Sequence, residues 1–382
     1  MNNGPLRILE VVDTLDGGGM EQQLVALINR LDPARFQFEV CCLRHAGVNA
    51  VKLAPGIPVH PLLKAEGFQV STARQMRALL KRGFHVVHTH NLSPLIYAAL
   101  ATLGGRTVPL FHGEHSQFTP AEFSPKRVWQ RRLLYLCTRA VHTVSSGQRD
   151  ELLRAGVKHR RLTAIVNGVD IDRFHPLPDK AARAAARARM GFGSPNEIWV
   201  GIVARFGAFK RHADLICAFE SVAAANSNLR LLIVGDGGPE KERVLALMRQ
   251  SPVAARMHWT GYQSDPAPCY QVLDILAVPS SNEGLSNTTL EAMATAVPVL
   301  SNDICGAREL IAEGEGGWVR DLTTIAQLTA ELQKVLALDE TEREIVGARG
   351  RARVATQFSW SAMGRNYADW LAACAGRSAF PA

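Results

Sequence analysis

Long apolar runs are missing from this 382-residue chain. None approaches the roughly 18–20 residues that a membrane span needs, so no transmembrane helix is expected. The start, Met1 to Arg7, leads directly into a strand pattern, without the apolar stretch of a secretory leader. Seven cysteines, an odd number, form no C-x-x-C pair. That argues against a disulfide framework or a zinc ribbon and for a reduced, cytoplasmic chain with buried thiols. The G-x-G-x-x-G fingerprint is absent, which disfavours an NAD-linked oxidoreductase. No tandem repeat or low-complexity tract occurs. No nucleic-acid-binding motif accompanies the net charge of +8, so no nucleic-acid partner is expected.

The charge is unevenly placed. Residues 1–175 carry 22 Lys+Arg against 13 Asp+Glu, whereas the remainder is close to neutral. A basic front half suits an anionic acceptor or the anionic inner face of a membrane, or it is simply a solvated surface in an Arg-rich composition. Dense apolar runs such as Leu6–Val12, Val86–His90, Ile198–Val203 and Leu229–Val234 alternate with helical patterns. This alternation predicts an α/β chain of two doubly wound parallel sheets, with ligands at the carboxyl ends of the strands. The reading places a first domain at 1–170, a linker and helix at 171–195, a second domain at 196–357 and a closing helical segment at 358–382.

Chemistry concentrates at Ser280–Pro298. A short apolar strand precedes it, Ser286 or Asn287 is a suitable N-cap, and Pro298 ends the helix. Glu283 lies in the loop and Glu291 one turn inside the helix. The backbone N–H groups of Gly284, Leu285, Ser286 and the following residues favour an anion. Arg205 and Lys210 frame a loop after Ile198–Val203, where two cations can hold a diphosphate and stabilise it as a leaving group. Tyr262 and Gln263 follow another strand and are candidates for meeting a nucleobase. In the first half, Gly17, Gly18 and Gly19 follow the first strand. They either let the backbone approach a phosphate or an acceptor, or merely turn the chain. His88, His90, His112 and His115 fall at or just past strand ends. His112 and His115 suit acceptor binding or proton handling, while packed structural histidines account for His88 and His90 at least as well. No clear metal-ligand set is legible.

The residues together resemble the retaining glycosyltransferases of family 4, with the GT-B architecture of two facing Rossmann-like domains. The resemblance rests on Glu283–Glu291 as an E-x7-E motif, on Arg205 with Lys210, and on Asn167-Gly168-Val169-Asp170 with Phe174. It rests also on Gly17-Gly18-Gly19-Met20-Glu21, Gly235-Asp236-Gly237 and Phe358-Ser359-Trp360. His112-Gly113-Glu114-His115 resembles a subgroup tied to bacterial exopolysaccharide systems. The resemblance implies that Arg205 and Lys210 hold the donor diphosphate, that Glu291 takes the ribose hydroxyls, and that Glu283 with Gly284 to Ser286 holds the donor sugar. Gly18 and Gly19 would close on the diphosphate or acceptor, His112 would lie beside the sugar, and Glu21, His90 and His115 would face the acceptor. It further implies front-side transfer with retention, no metal or other cofactor, a nucleotide-sugar donor, a glycan or lipid-linked acceptor, and a last helix that packs back on the first domain. Glu283-Gly284-Leu285-Ser286 departs from the Glu-Gly-Phe-Gly or Glu-Gly-Phe-Pro common in the family, which leaves the donor sugar open. A non-catalytic GT-B binding subunit and a GT-B sugar-nucleotide epimerase are the alternatives.

Overall fold

The computed structural model describes residues 4–16, 18–115, 119, 121–191 and 196–376. The chain forms two compact units, Met1–Gly168 with Trp360–Ala382, and Val169–Ser359.

The first unit is built on seven parallel strands: β1 (Leu6–Val12), β2 (Phe36–Cys42), β3 (Val59–Pro61), β4 (Val86–His90), β5 (Leu110–Glu114), β6 (Ala140–Thr143) and β7 (Leu162–Ala164). Their order is β3-β2-β1-β4-β5-β6-β7. The connecting helices are α1 (Gly19–Arg30), α2 (Val70–Leu80), α3 (Leu92–Ala101), α4 (Pro125–Tyr135) and α5 (Ser146–Arg154). Both sheet faces are covered, so the strands are apolar throughout rather than alternating. On one face Ile8, Val86, Phe111 and Ala140 pack with α1 and with Met363, Tyr367 and Leu371 of the last helix. On the other, Leu9, Val87, Leu110 and Val141 pack with α2, α3 and α4.

The second unit repeats the plan with β8 (Ile198–Val203), β9 (Leu229–Val234), β10 (Met257–Trp259), β11 (Ile275–Val278), β12 (Val299–Asn302), β13 (Ala312–Glu313) and β14 (Gly316–Arg320), ordered β10-β9-β8-β11-β12-β14-β13. Its helices are α6 (Lys180–Arg189), α7 (His212–Ala223), α8 (Lys241–Gln250), α9 (Ala267–Gln271), α10 (Asn287–Ala294), α11 (Ala307–Leu310), α12 (Ile325–Ala337) and α13 (Glu340–Gln357). Helix α6 is part of this unit. The guanidinium of Arg187 donates to the carbonyls of Val272 and Glu197 and to Asp274. The chain then returns to the first unit as α14 (Trp360–Ala375).

Two strands escape the apolar pattern. Nothing in the residues Gly316–Arg320 signals a strand, yet β14 pairs there with both β12 and β13. Glycines at 316 and 317 remove the apolar signature, and the backbone needs them. Gly317 has φ +148°, and a Cβ would lie 1.9 Å from the carbonyl oxygen of Val299. Conversely, Val253–Trp259 has the residue types to suggest one strand but is not one. A short 3₁₀ turn occupies Ala254–Arg256 and only Met257–Trp259 is extended.

In each sheet the order reverses between its first and fourth strands, β1/β4 in one and β8/β11 in the other. At such a switch point the adjoining loops leave in opposite directions and open a crevice at the strands' carboxyl ends. Both groups of candidate residues stand there.

Candidate active site

In the second unit, the loop after β8 and the loop after β11 leave the same edge of neighbouring parallel strands. The first carries Arg205, Lys210 and Arg211; the second carries Ser280, Glu283 and Ser286. Lys210 Nζ lies 2.5 Å from Glu283 Oε1, with both side chains mostly withdrawn from solvent. Ser280 Oγ donates to the same carboxylate oxygen at 2.8 Å. Glu283, Gly284, Leu285 and Ser286 are all buried. Ser286 is the N-cap of α10, its Oγ accepting from the N–H of Thr289 at 3.3 Å. This satisfies one of the helix's open donors and fixes the loop that holds Glu283. Arg205 is exposed, and among the described residues it has no side-chain hydrogen bond or ion pair.

Glu291 lies one turn into α10, and Tyr270 Oη donates to its Oε2 at 2.6 Å. Burial lifts its carboxyl to about 7, against the opposing pull of the Tyr270 hydrogen bond and of Arg173. Tyr262 stands exposed after β10, and Gln263 turns back to donate to the carbonyl of Thr260. Beside them the Trp259 indole N–H donates to the carbonyl of Gly235, and Lys241 lies 5.2 Å from the ring. The Gly235–Gly238 turn touches the Arg205 loop backbone to backbone. Gly238 has φ +104°, and a Cβ there would lie 2.4 Å from the carbonyl oxygen of Phe206.

Arg211 is a structural member of this cluster that residue types alone do not mark. Its backbone is left-handed, at φ 56° and ψ 40°, where it caps α7. Its guanidinium binds Asp214 at 2.7 Å and donates to the carbonyls of Pro279, Leu322 and Thr323. The strained residue ties the Lys210 loop to the start of the Glu283 loop. A basic pair at 210–211 was the available signal, but nothing in the sequence separates the cation that meets Glu283 from the one tied to backbone carbonyls.

In the first unit, Gly18 is the N-cap of α1, and its Cα faces the Glu21 carboxylate so closely that a Cβ would lie 2.0 Å from Oε2. Gly19 is exposed; Gly17 lies outside the described residues. Beneath this loop a polar network crosses the sheet. Glu10 Oε2 is 2.9 Å from His88 Nδ1 and 2.8 Å from His90 Nε2, all three side chains buried. The far nitrogen of His90 meets His115 Nε2 at 2.9 Å, and that of His88 meets His142 Nε2 at 3.2 Å. Burial raises the Glu10 carboxyl, but the two histidines outweigh it and hold it at about 2. Burial and the neighbouring His88 keep His90 near 4. Burial likewise keeps His115 and His142 well below the ordinary histidine range. One carboxylate oxygen and two imidazole nitrogens within 4.8 Å of one another are also donors that could ligate a divalent cation.

His112 occupies a covered position, not the open face anticipated for a group beside the sugar. It shares a face of β5 with Glu114 and is 0% exposed. Its Nδ1 is 2.9 Å from Thr89 Oγ1 and its Nε2 is 3.3 Å from Glu114 Oε1. Arg131 and Tyr135 of α4 close over Glu114, at 2.7 and 2.9 Å. Alternation along the strand decides this, since residues two apart share a face. His115, one residue past the strand, is the histidine of this group that keeps partial exposure. It lines a water-sized cavity with His90, Gln23 and Asn167.

Two doubly wound parallel sheets, each with a polar cluster at its switch point, define an α/β protein of the GT-B kind. The profile described as Glycosyltransferase Family 4 matches residues 17–173, and that described as Glycosyl transferases group 1 matches residues 190–353. Together they account for most of the chain, which belongs to this glycosyltransferase family. A GDP-mannose-dependent alpha-(1-6)-phosphatidylinositol monomannoside mannosyltransferase of Mycobacterium tuberculosis is 31% identical over 61% of this chain and 62% of its own length. The chain thus spans about three fifths of that relative. A D-inositol 3-phosphate glycosyltransferase of Thermobispora bispora is 25% identical over 94% of this chain and 91% of its own. The crystal structure of Anabaena HepE in complex with UDP aligns with a TM-score of 0.83 at 19% identity, covering 96% of this chain and 100% of that one. WaaG, a glycosyltransferase involved in lipopolysaccharide biosynthesis, aligns with a TM-score of 0.74 at 16% identity, covering 95% and 99%. At these identities the structural likeness concerns the fold.

Proposed function

We propose that the protein transfers a glycosyl group from a nucleotide-diphosphate sugar to an acceptor hydroxyl, with retention at the anomeric carbon. The observation that carries the reading is the juxtaposition at the β8/β11 switch point. There an exposed Arg205 and a Lys210 in contact with Glu283 share an edge with the N-terminus of α10. In such a site Arg205, Lys210 and the helix N–H groups neutralise the departing nucleoside diphosphate. The Glu283 carboxylate accepts from sugar hydroxyls, and Glu291 accepts from the ribose. These residues supply cationic and N–H stabilisation of their own, so the proposed reaction needs no metal. Because fixed donors need no reorganisation as charge develops, their effect is larger in the transition state than in the bound donor.

The acceptor in this reading is a glycan or lipid-linked glycan in bacterial exopolysaccharide or other cell-surface glycan synthesis, met at the inner face of the cytoplasmic membrane. Relatives named for mannosylation of phosphatidylinositol mannoside and for capsular polysaccharide biosynthesis support this direction. The basic first half supports it as well. The test is a thermal-shift screen of UDP-, GDP- and ADP-sugars, followed by release of nucleoside diphosphate with and without glycan acceptors. A ligand that binds only the folded protein raises its Tm. Acceptor-dependent release supports transfer. Stabilisation by a donor without any turnover points to a binding subunit, and conversion of the donor without acceptor points to an epimerase.

A further inference from the structure

Two neighbouring parallel strands of the first unit put three ligand-type side chains on one face. Glu10 of β1 stands opposite His88 of β4 in the register, and His90 lies two residues further on. The other residues of that face are apolar: Ile8 and Val12 on β1, Val86 on β4. Helix α14 closes over the group, with the rings of Trp370 and Tyr367 at 5.4 and 6.4 Å from that of His88. Glu10, His88 and His90 are each no more than 2% exposed.

Their mutual contacts leave these groups incompletely satisfied. Glu10 Oε1 and His88 Nδ1 have no hydrogen-bond partner among the described residues, although both atoms are sealed from solvent. The 2.9 Å approach of His88 Nδ1 to Glu10 Oε2 is thus a close contact and not an aligned N–H bond. No fixed cation balances the carboxylate either. Glu114 has Arg131, Asp274 has Arg187 and Glu283 has Lys210, whereas among the described residues Glu10 pairs with imidazoles alone. Buried charges are either paired or placed on a metal.

A divalent cation meets both needs. One carboxylate and two imidazoles, with donor atoms within 4.8 Å of one another, make a mixed oxygen and nitrogen set. Such a set suits zinc, cobalt or iron, whereas magnesium and calcium take oxygen ligands. The outer contacts agree with this. The ring nitrogens that face away from Glu10 meet His115 at 2.9 Å, for His90, and His142 at 3.2 Å, for His88. Ligating histidines are held in this way, through the nitrogen that does not bind the metal. His115 is partly exposed and lines a water-sized cavity with His90, which gives an ion a way in.

We propose that Glu10, His88 and His90 bind one divalent transition-metal ion of the zinc kind, with Glu10 Oε1 as a further donor. The ion clamps β1 to β4 below the loop that holds Gly18 and Gly19. Its ligands all belong to the first unit and the proposed donor residues to the second, so the inference does not rest on the transfer reaction. The full chain, without a polyhistidine tag, is stripped with chelator, exposed to Zn2+, Co2+ or Mg2+, and desalted. Metal content, Tm and the visible absorption of the cobalt form are then measured on the parent and on Glu10→Gln, His115→Gln and His45→Ala. His45 is an exposed histidine paired with Asp16 and reports adventitious surface binding.

The expected result is about one equivalent of zinc or cobalt per chain, with a raised Tm, and no effect of magnesium. Glu10→Gln should lower the retained metal at least about tenfold, as loss of a ligand requires. His115→Gln removes only the outer partner of His90 and should weaken affinity by about 10–100-fold. His45→Ala should bind like the parent. A parent chain that retains less than about a tenth of an equivalent overturns the proposal, because the cluster is then a hydrogen-bonded network without an ion. So does Glu10→Gln that keeps the parent's metal, or His45→Ala that loses it. If Glu10→Gln fails to fold, the cobalt spectrum of the parent decides. Bands of nitrogen and oxygen ligation support the site, and a sulfur-to-cobalt charge-transfer band places the ion on cysteine and overturns it.

Discussion

Lys210 Nζ and Glu283 Oε1 are 2.5 Å apart at the mouth of two neighbouring strands, so the cation and the carboxylate proposed above to hold the donor are already paired with each other. Replacing Lys210 by Ala leaves Glu283 with Ser280 but no cation, in a mostly buried setting. The expected cost is about 1–3 kcal/mol in urea unfolding. Lys210→Ala combined with Glu283→Gln should recover part of it, because the uncompensated charge is gone. An equal loss in the single and double variants would show that the pair contributes through packing alone.

Arg205 behaves differently. It is exposed and makes no side-chain hydrogen bond or ion pair among the described residues. Arg205→Ala should leave the Tm of the free protein unchanged while weakening nucleotide-sugar binding by about tenfold or more, the scale of a lost charge-assisted contact. Calorimetric titration of parent and variant with the same donor decides it, and undiminished affinity removes Arg205 from the site.

In the role proposed above, Glu291 should make stability and donor binding move in opposite directions with pH. Its folded carboxyl sits near 7, above the ordinary 4.5. The folded state then holds the proton more tightly than the unfolded state. The stabilisation from this group is fully present below about 4.5 and is lost as pH rises through about 7. Donor affinity should instead rise over the same window, because the carboxylate is the better acceptor for ribose hydroxyls. Glu291→Gln should flatten both trends, as measured by urea unfolding and donor titration across the range.

Glu114 and Arg131 form a buried pair joined by Tyr135 and His112. Glu114→Gln removes one buried carboxylate from a guanidinium that also meets Glu122. Unfolding should become easier by about 3–5 kcal/mol, the usual cost of breaking a buried pair from one side. Glu114→Gln with Arg131→Met should cost less than the two single changes added together. Strict additivity would mean that the groups do not act as a pair.

Much of the polar cluster at the β8/β11 switch point was legible from residue types and spacing. A Ser N-cap, a carboxylate before the helix and a cation after an earlier strand are local signals, and the sheet brings Lys210 against Glu283 because β8 and β11 are neighbours in it. Along the sheets, legibility fails where both faces are apolar. Nothing in Val86–His90 or Leu110–Glu114 says which helix covers which face, so the sequence cannot reveal that His112 is enclosed under α4 while His115 keeps an open edge. Glu10 was hidden for the same reason, as one polar residue in a buried run whose partners lie about 80 positions away. Arg211 and the β14 glycines depend on backbone conformations that composition does not display.

Helix α14 brings a further consequence. It supplies Met363, Tyr367, Leu371 and Cys374 to the core of the first sheet, and the Tyr367 hydroxyl lies 3.1 Å from His142. The first unit is therefore discontinuous, with the whole of the second unit inserted between its sheet and its last helix. During synthesis β1 to β7 emerge long before that helix exists, and one face of their core must wait uncovered while some 190 residues of the inserted unit are made and fold. The order of events at the ribosome is thus the reverse of the order in the chain: the second unit can be finished first, and the first unit is sealed last.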